Sequence, residues 1–316
     1  MFEKIYTQFD GRDAIIVKGL GEYDLGATME CGQCFRYERV SRDDMTEYIT
    51  VVGGEIIDVG QVKRGELIFF CMSDEVFSSV AVPYFALTTD LDEVRRDILG
   101  RTDSEWLRSA AACAGGVAIL AQQPWEALIS FIISQNNNIP RIRRIIREVC
   151  AEYGVNICLQ KGIKKCPAKL TDATPCEEIC KKCGRCYTFP TAEEIAMAPE
   201  GLLPSKPGFR YKYILDAANR VVSGKTDLEA IKRLGSYQAS VEELTKILGV
   251  GNKVASCVAL FAMENLDAFP VDVWMKRAID TYFDGALDPA TLGPYAGYAQ
   301  QYIFHYIRNI ENSENK

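Results

Sequence analysis

The 316-residue sequence contains one histidine, no long uninterrupted apolar run and no net positive charge. With His305 as the only histidine, a Ser-His-Asp triad or a histidine-rich metal site is not expected. The most apolar stretch, residues 116–135, is interrupted by two glutamines, a proline and a glutamate, so it is too polar to span a bilayer. The first 19 residues lack the apolar core of a signal peptide. We therefore expect a cytoplasmic protein with no membrane contact.

The charge balance is uneven along the chain. The formal net charge of −7 argues weakly against a nucleic-acid partner, whose binding surface is usually basic. Residues 141–186 nevertheless hold eleven Lys or Arg residues against five Asp or Glu residues. A polyanionic partner is therefore compatible with this part of the chain.

The hydrophobic pattern changes from strand-like to helical near residue 86. Short β-rich runs separated by glycine and charged turns predict an antiparallel sheet, with a hairpin turn at Val51–Glu55. Apolar residues at three- and four-residue steps then predict helices to the C-terminus, one of them starting with a Thr191–Glu194 capping box. We expect an α+β protein: a small N-terminal antiparallel β-domain (residues 1–105) packed on an all-helical domain (residues 106–316).

The segment LGVGNKVASC, residues 248–257, predicts a tight Gly-x-Gly turn followed by a helix. Gly249 and Gly251 can adopt positive φ, and the amides after such a turn form an anion site that suits a DNA phosphate. Lys253 lies at the positive end of the helix dipole, which disfavours its charged form and favours a nucleophilic neutral amine. Asp272 follows 19 residues later, as a helix N-cap, an active-site carboxylate, or both. An ordinary packed helical hairpin is the alternative interpretation.

Several motifs together resemble one enzyme family. Residues 247–278 are similar to the helix-hairpin-helix, Gly-Pro-rich, Asp motif of base-excision DNA glycosylases, with Leu248 where the family often has proline. The segments GQCFR at 32–36, SFIISQNNNIPRI at 130–142, PGFRYKYI at 207–214 and GPYAGYAQQYIF at 293–304 resemble the 8-oxoguanine branch in family order. The helical domain is thus expected to be a helix-hairpin-helix glycosylase core.

This resemblance implies a role for each matching residue of the base pocket. Lys253 would attack C1′ of a flipped nucleotide and form a Schiff base, and Asp272 would stabilise positive charge on the sugar. The Gly32 carbonyl would accept the N7–H that distinguishes 8-oxoguanine from guanine. Gln300 would read the Watson–Crick edge of the base, and Cys257 and Phe304 would sandwich its ring. From the residues alone, core packing would be the simpler interpretation of Cys257 and Phe304.

The resemblance also implies a DNA-binding surface. Asn136, Arg141 and Arg210 would hold the cytosine left unpaired, Phe209 would fill the gap in the stack, and Gly249 and Gly251 would contact the backbone. A solvated helix face is the alternative for the arginine run at 141–147. Trp274 departs from the family, whose eukaryotic members carry histidine near the target phosphate.

A cysteine-rich insert at about residues 158–187 has no counterpart in the family pattern. Cys176, Cys180, Cys183 and Cys186 follow C-x3-C-x2-C-x2-C spacing, which suits zinc or an iron–sulfur cluster. A reduced loop without metal is the alternative. The CGQC segment at 31–34 is interpreted as packing, because it overlaps the segment expected to read the base.

The predicted function is therefore that of a bifunctional DNA glycosylase, a base-excision repair enzyme. It would excise 8-oxoguanine from duplex DNA through a lysine Schiff base and nick the abasic site by β-elimination. No cofactor is needed for this chemistry. We expect a monomer that acts on the nucleoid of a bacterial-type cell. The alternatives are a glycosylase for another damaged base and a non-catalytic helix-hairpin-helix DNA-binding protein.

Overall fold

The computed structural model describes residues 2–40, 44–163, 185–198 and 208–314. The N-terminal part forms a six-stranded antiparallel sheet in the order β1-β2-β6-β5-β4-β3. Its strands are β1 Glu3–Phe9, β2 Arg12–Lys18, β3 Tyr37–Arg39, β4 Thr46–Val52, β5 Glu55–Gln61 and β6 Leu67–Phe70. The expected hairpin turn is confirmed: Val52 pairs with Glu55, and Gly53 and Gly54 have φ of 58° and 79°. Two glycines at positive φ suit the tight turn between twisted strands.

The N-terminal part also contains helices where only strands were expected. Helix α1 (Leu25–Glu30) begins at Asp24, whose side chain accepts a hydrogen bond from the Ala27 amide. After β6 the chain forms a helical segment of α2 (Asp74–Val76), a π-helical turn (Phe77–Ala81) and α3 (Val82–Tyr84). These helices are too short to show a 3.6-residue periodicity, so their capping residues were the main signal in the sequence.

The rest of the described chain is helical. It comprises α4 Leu91–Gly100, α5 Glu105–Ala114, α6 Pro124–Ser134, α7 Ile139–Tyr153, α8 Ile157–Gln160, α9 Ala192–Ala196, α10 Tyr211–Val222, α11 Leu228–Arg233, α12 Tyr237–Leu244, α13 Asn252–Ala262, α14 Val273–Tyr282 and α15 Ala296–Glu314. A 3₁₀ turn, Gly208–Arg210, precedes α10, and a 3₁₀ segment, Pro289–Tyr295, with a kink at Gly293 (φ of 74°), precedes α15. The expected capping box at Thr191 and Glu194 is confirmed at the start of α9.

The sheet and the helices share one hydrophobic core, which confirms the α+β fold class. A continuous cluster of buried apolar side chains extends from Ile15 in β2 to Ile307 in α15. Helix α15 packs along α5 and α14, which places the C-terminal helix beside the start of the helical half. Among the described residues, no helix is long and apolar enough to cross a membrane. The division at residue 105 stays a prediction.

The two glycines of the 248–257 turn differ in conformation. Gly249 has φ of 78°, whereas Gly251 has φ of −92° and is the N-cap of α13. The expectation of positive φ is thus met at Gly249 but not needed at Gly251. A Cβ atom on Gly249 would lie 2.3 Å from Cγ of Tyr213, whereas one on Gly251 would meet no atom within 4 Å. Of these two positions, only 249 sterically requires glycine in the folded protein.

We expect Gly249→Ala to lower the free energy of unfolding by about 2–4 kcal/mol, because it adds both a strained φ and a clash with the Tyr213 ring. Gly251→Ala is the matched control and should cost less than about 1 kcal/mol, since the backbone is ordinary and the space is open. Equilibrium urea unfolding measures both values. Equal losses in the two variants would contradict this account.

Candidate active site

Six residues predicted from the sequence line a single cleft of about 340 Å³, although they come from four separate parts of the chain. The lining side chains share this one space: Cys31, Gly32, Phe131, Lys253, Cys257, Phe261, Pro270, Asp272, Gln300, Gln301 and Phe304. Thus Gly32, Lys253, Cys257, Asp272, Gln300 and Phe304 are brought together as expected. The sole histidine, His305, is not among the lining residues.

Lys253 is the second residue of α13 and is exposed at the mouth of the cleft. Its Nζ atom lies 5.6 Å from the centroid of the Phe131 ring. The described residues alone therefore do not bury the amine; displacement of water from it requires a bound ligand. The amine nonetheless lies at the edge of the cleft, where it can contact a ligand bound there.

Cys257 lies one helical turn beyond Lys253 and is buried. Burial raises the pKa of the Cys257 thiol, and the positive charge and hydrogen bond of Lys253 only partly oppose this shift. The thiol therefore remains protonated near neutral pH. An aromatic ring bound in the cleft would therefore contact an uncharged, polarizable sulfur atom.

Asp272 caps a helix and also faces the cleft. Its Oδ1 atom accepts a hydrogen bond of 2.9 Å from the Met275 amide, which caps α14. The half-buried side chain also lines the cleft together with Pro270. A carboxylate held by a helix N-terminus remains in place as charge develops on a bound sugar.

Gly32 is held beside the cleft by the residue that follows it. The buried Gln33 side chain donates to the carbonyls of Thr28 and Ala118 at 2.9 and 2.8 Å and accepts from the Leu120 amide at 2.8 Å. Gly32 itself has φ of 87°, and a Cβ atom there would lie 3.7 Å from the Phe304 ring. These bonds explain why glutamine follows the glycine, a function that the sequence alone did not reveal.

The other wall of the cleft includes residues that sequence analysis did not identify. The rings of Phe131 and Phe261 stack at 5.6 Å with an interplanar angle of 16°. Gln301, next to Gln300 in α15, is 3% exposed and also faces the cleft. From the sequence alone, these residues cannot be told apart from other apolar or polar residues on the same helices. Only adjacency to Gln300 and Phe304 could have drawn attention to Gln301.

Three predicted DNA-binding residues also come together. Arg210 Nε donates to the Gln135 carbonyl at 2.8 Å, and Nη2 donates to the Asn136 carbonyl at 3.2 Å. Burial lowers the pKa of Arg210, and the nearby positive charge of Arg141 lowers it further. Arg141 is exposed, and its side chain has no ion pair among the described residues. The two neighbouring arginines, of which Arg141 is exposed to solvent, form a cationic surface suited to an acceptor-rich ligand.

Phe209 lies beside this cationic surface. It is 52% exposed although it is a large aromatic residue. Its ring makes an edge contact with Tyr213 at 5.9 Å, and the Arg210 guanidinium lies 4.5 Å from its centroid. Tyr213 also contacts Gly249, so this exposed ring is connected to the Gly-x-Gly turn.

The rest of the arginine run behaves differently from Arg141. Arg143 and Arg147 lie 3.6 and 3.8 Å from Glu38 of β3, and Arg144 lies 3.8 Å from Glu148. The two pairs with Glu38 join α7 to the sheet. The Arg144–Glu148 pair lies on the surface of α7. The arginine excess therefore supports DNA binding less than the sequence indicated. Of the four arginines in the run, Arg141 is the one for which the described residues provide no ion pair.

Trp274 is partly buried against the core, two residues after Asp272 in α14. Its ring lies 5.3 Å from the Arg277 guanidinium. Eukaryotic members of the family are expected to have histidine at this position. Here Trp274 occupies it, with its indole ring near the Arg277 guanidinium.

The predicted metal ligands Cys176, Cys180 and Cys183 lie outside the described residues. Cys186 is described and buried, and its carbonyl accepts a hydrogen bond from the Ile157 amide at 2.9 Å. Within the described ranges no group of three or more potential metal ligands is found. Cys31 and Cys34 are both buried, and burial raises the pKa of Cys31 to about 11, so the packing interpretation of CGQC holds.

Comparison with known proteins connects this cleft to one family. Residues 15–128 match the family model of the 8-oxoguanine DNA glycosylase N-terminal domain. The N-glycosylase/DNA lyase of Saccharomyces cerevisiae is 29% identical over 282 residues, which are 81% of this chain and 67% of that protein. An 8-oxoguanine glycosylase/lyase from Clostridium acetobutylicum, solved with DNA holding cytosine opposite 8-oxoguanine, superposes with a TM-score of 0.79 at 30% identity. The superposition covers 98% of each chain. The chain belongs to the 8-oxoguanine DNA glycosylase family.

Other glycosylases are similar in fold only. A 3-methyladenine DNA glycosylase from Archaeoglobus fulgidus superposes with a TM-score of 0.65 at 18% identity. The two proteins therefore share a fold over 93% of this chain, while their sequences differ widely. The resemblance and the fold class inferred from the sequence are confirmed.

Proposed function

We propose that this protein is a bifunctional DNA glycosylase that excises 8-oxoguanine from duplex DNA and then nicks the abasic site. The observation that carries the proposal is one cleft in which Lys253 and Asp272 face Gly32 and Gln300. A DNA-binding module would need neither a lysine nor a carboxylate at the mouth of a base-sized cleft. The protein acts as an N-glycosylase with lyase activity, its partner is double-stranded DNA, and its chemistry needs no cofactor.

The reaction begins when the damaged nucleotide leaves the helix and enters the cleft. The Lys253 Nζ attacks C1′ with its lone pair while the bond from C1′ to N9 breaks, and the base leaves with the electron pair of that bond. Loss of a proton from nitrogen and ring opening then produce an imine. Abstraction of a C2′ proton expels the 3′ phosphate and nicks the strand. The Asp272 carboxylate stabilises positive charge on the sugar during the first step.

Selection of the damaged base rests on Gly32. Its backbone carbonyl accepts the N7–H of 8-oxoguanine, whereas guanine presents a lone pair at N7. An unpaired or repelled polar group in such a site costs about 1–3 kcal/mol. Phe304 and the protonated Cys257 thiol enclose the ring, and Gln300 reads its Watson–Crick edge.

On the opposite strand, Arg141 and Arg210 bind the unpaired cytosine through its N3 and O2 acceptors, beside Asn136. Phe209, already exposed in the free protein, enters the gap left by the flipped nucleotide. The amides of the Gly249–Gly251 turn bind the DNA backbone.

A substrate panel tests the proposed function. Purified protein is incubated with duplexes that contain 8-oxoguanine, an alkylated purine or an oxidised pyrimidine, each opposite cytosine, with borohydride added to trap an imine. We expect base release and a covalent complex with the 8-oxoguanine duplex. Preferred release of another base would favour the alternative glycosylase, and binding without release would favour a non-catalytic protein.

We expect Arg141→Ala to weaken the preference for cytosine opposite 8-oxoguanine about five- to a hundredfold, since one bidentate contact discriminates bases by about 1–3 kcal/mol. Single-turnover excision opposite cytosine and opposite adenine measures this ratio. Arg144→Ala is the matched control, because Arg144 is on the same helix but pairs with Glu148. An unchanged ratio in Arg141→Ala would contradict the assignment.

The cysteine-rich insert leads to a separate proposal. Its C-x3-C-x2-C-x2-C spacing suits a structural zinc ion or iron–sulfur cluster on Cys176, Cys180, Cys183 and Cys186, flanked by lysines that can contact DNA backbone. Elemental analysis of the purified protein and of a Cys180→Ser, Cys183→Ser double variant tests it. We expect about one equivalent of zinc, or roughly two to four equivalents of iron with matching sulfide, in the parent and loss of that metal from the variant. A parent protein without bound metal would contradict the proposal.

A further inference from the structure

Two glutamine side chains lie next to each other in the cleft, and only one of them has a role in the proposed function. Gln300 and Gln301 are 4% and 3% exposed, and both line the cleft from α15. Gln301 Nε2 donates a hydrogen bond of 2.6 Å to Gln300 Oε1. The orientation of the Gln300 amide therefore depends on Gln301.

The other end of the Gln301 amide has no partner. Its Oε1 atom is buried, and no hydrogen bond to it is formed by the described residues. A buried carbonyl oxygen without a donor is destabilising in the free protein unless water or a ligand supplies a hydrogen. Because the side chain lines the cleft, a rotation of the amide when a ligand binds would expose this oxygen to a hydrogen donor of that ligand.

Together the two amides present the groups that a guanine-type edge needs. That edge carries one acceptor, O6, and two donors, N1–H and the 2-amino group. The bond from Gln301 occupies Gln300 Oε1 and leaves the Gln300 amino group free to donate to O6. Gln301 Oε1 is then an acceptor for a donor of the same edge.

Resting on the proposed function, we propose that Gln301 is a second specificity-determining residue of the base pocket. It positions the Gln300 amide through its own amino group and accepts a hydrogen bond from the Watson–Crick edge of 8-oxoguanine through its carbonyl oxygen. Both hydrogen bonds act on binding of the base, and neither involves the sugar. Loss of Gln301 should therefore impair base excision without impairing cleavage of a site that has already lost its base.

The test compares two substrates under single-turnover conditions: a duplex with 8-oxoguanine opposite cytosine, and the same duplex with a preformed abasic site. We expect Gln301→Met to slow excision of 8-oxoguanine roughly ten- to a hundredfold, the effect of a buried polar group left unpaired. Cleavage of the abasic duplex should stay within about twofold of the parent, since Lys253 and Asp272 are unchanged.

Tyr302→Phe is the matched control. The Tyr302 hydroxyl is also buried, on the same helix, with no hydrogen bond among the described residues, but it does not line the cleft. We expect this variant to keep both activities. If Gln301→Met and a second variant, Gln301→Ala, lose both activities equally, or if excision is unaffected, the inference is wrong.

A double-variant cycle tests the link between the two glutamines. Gln300→Met and Gln301→Met should together lose less than the product of their separate losses, because each removes part of one hydrogen-bonded pair. Losses that multiply would show independent action and overturn the positioning role. If the parent protein itself does not release 8-oxoguanine, the proposed function is wrong, which is a separate result.

Discussion

Lys253→Gln should abolish the borohydride-trapped complex and strand cleavage, and should slow base release on the order of a thousandfold or more. An amide nitrogen cannot attack C1′ or form an imine, so both steps that use the nucleophile are lost. The substitution should preserve folding, because Lys253 is exposed at the start of α13 and its helix is capped by the Gly251 backbone. Gel analysis of single-turnover reactions with 8-oxoguanine opposite cytosine measures both products.

Lys225→Gln is the matched control for this experiment. Lys225 is exposed and follows the C-terminal end of α10, opposite to the end where Arg210 lies. It changes the net charge equally and should leave both activities unchanged. Base release at the parental rate by Lys253→Gln, without strand cleavage, would mean that water is the nucleophile and that Lys253 acts only as a lyase residue.

Asp272→Asn should slow excision by about a hundred- to a thousandfold with little change in stability. Asparagine is as good an N-cap as aspartate, so its Oδ1 can still accept from the Met275 amide and hold the start of α14. The substitution removes only the negative charge that faces the sugar. Single-turnover rates and urea unfolding, measured on the same preparation, separate the two effects.

Asp227→Asn is the control for the capping role. Asp227 caps α11 by accepting 2.8 Å from the Ala230 amide and does not line the cleft. It should keep both its stability and its activity. Asp272→Ala should add a loss of about 1 kcal/mol in the free energy of unfolding to the loss in rate. A parental rate in Asp272→Asn would contradict the electrostatic role.

Much of the site could be predicted from the sequence because its key residues lie in recognisable local patterns. Lys253 follows a Gly-x-Gly turn, Asp272 precedes a helix, and Gly32 precedes a glutamine and an aromatic residue. These patterns matched one family closely enough to predict that residues far apart in the sequence would line one cleft. Gln301, Phe131 and Phe261 belong to no such pattern, and their part in the cleft was missed.

The sequence by itself determined several local features of this protein: the Gly53–Gly54 turn, the Thr191–Glu194 capping box, the start of α13 and the change from a strand-rich to a helical part of the chain. Each depends on contacts between residues only a few positions apart, so composition and spacing suffice. Only the tertiary structure decided that Arg141 is available while Arg143 and Arg147 pair with Glu38. It also decided that Lys253 is exposed and that, within the described part of the chain, no donor reaches the Gln301 carbonyl. Such properties depend on which distant side chains pack together, since burial and pairing arise from the neighbours that folding brings.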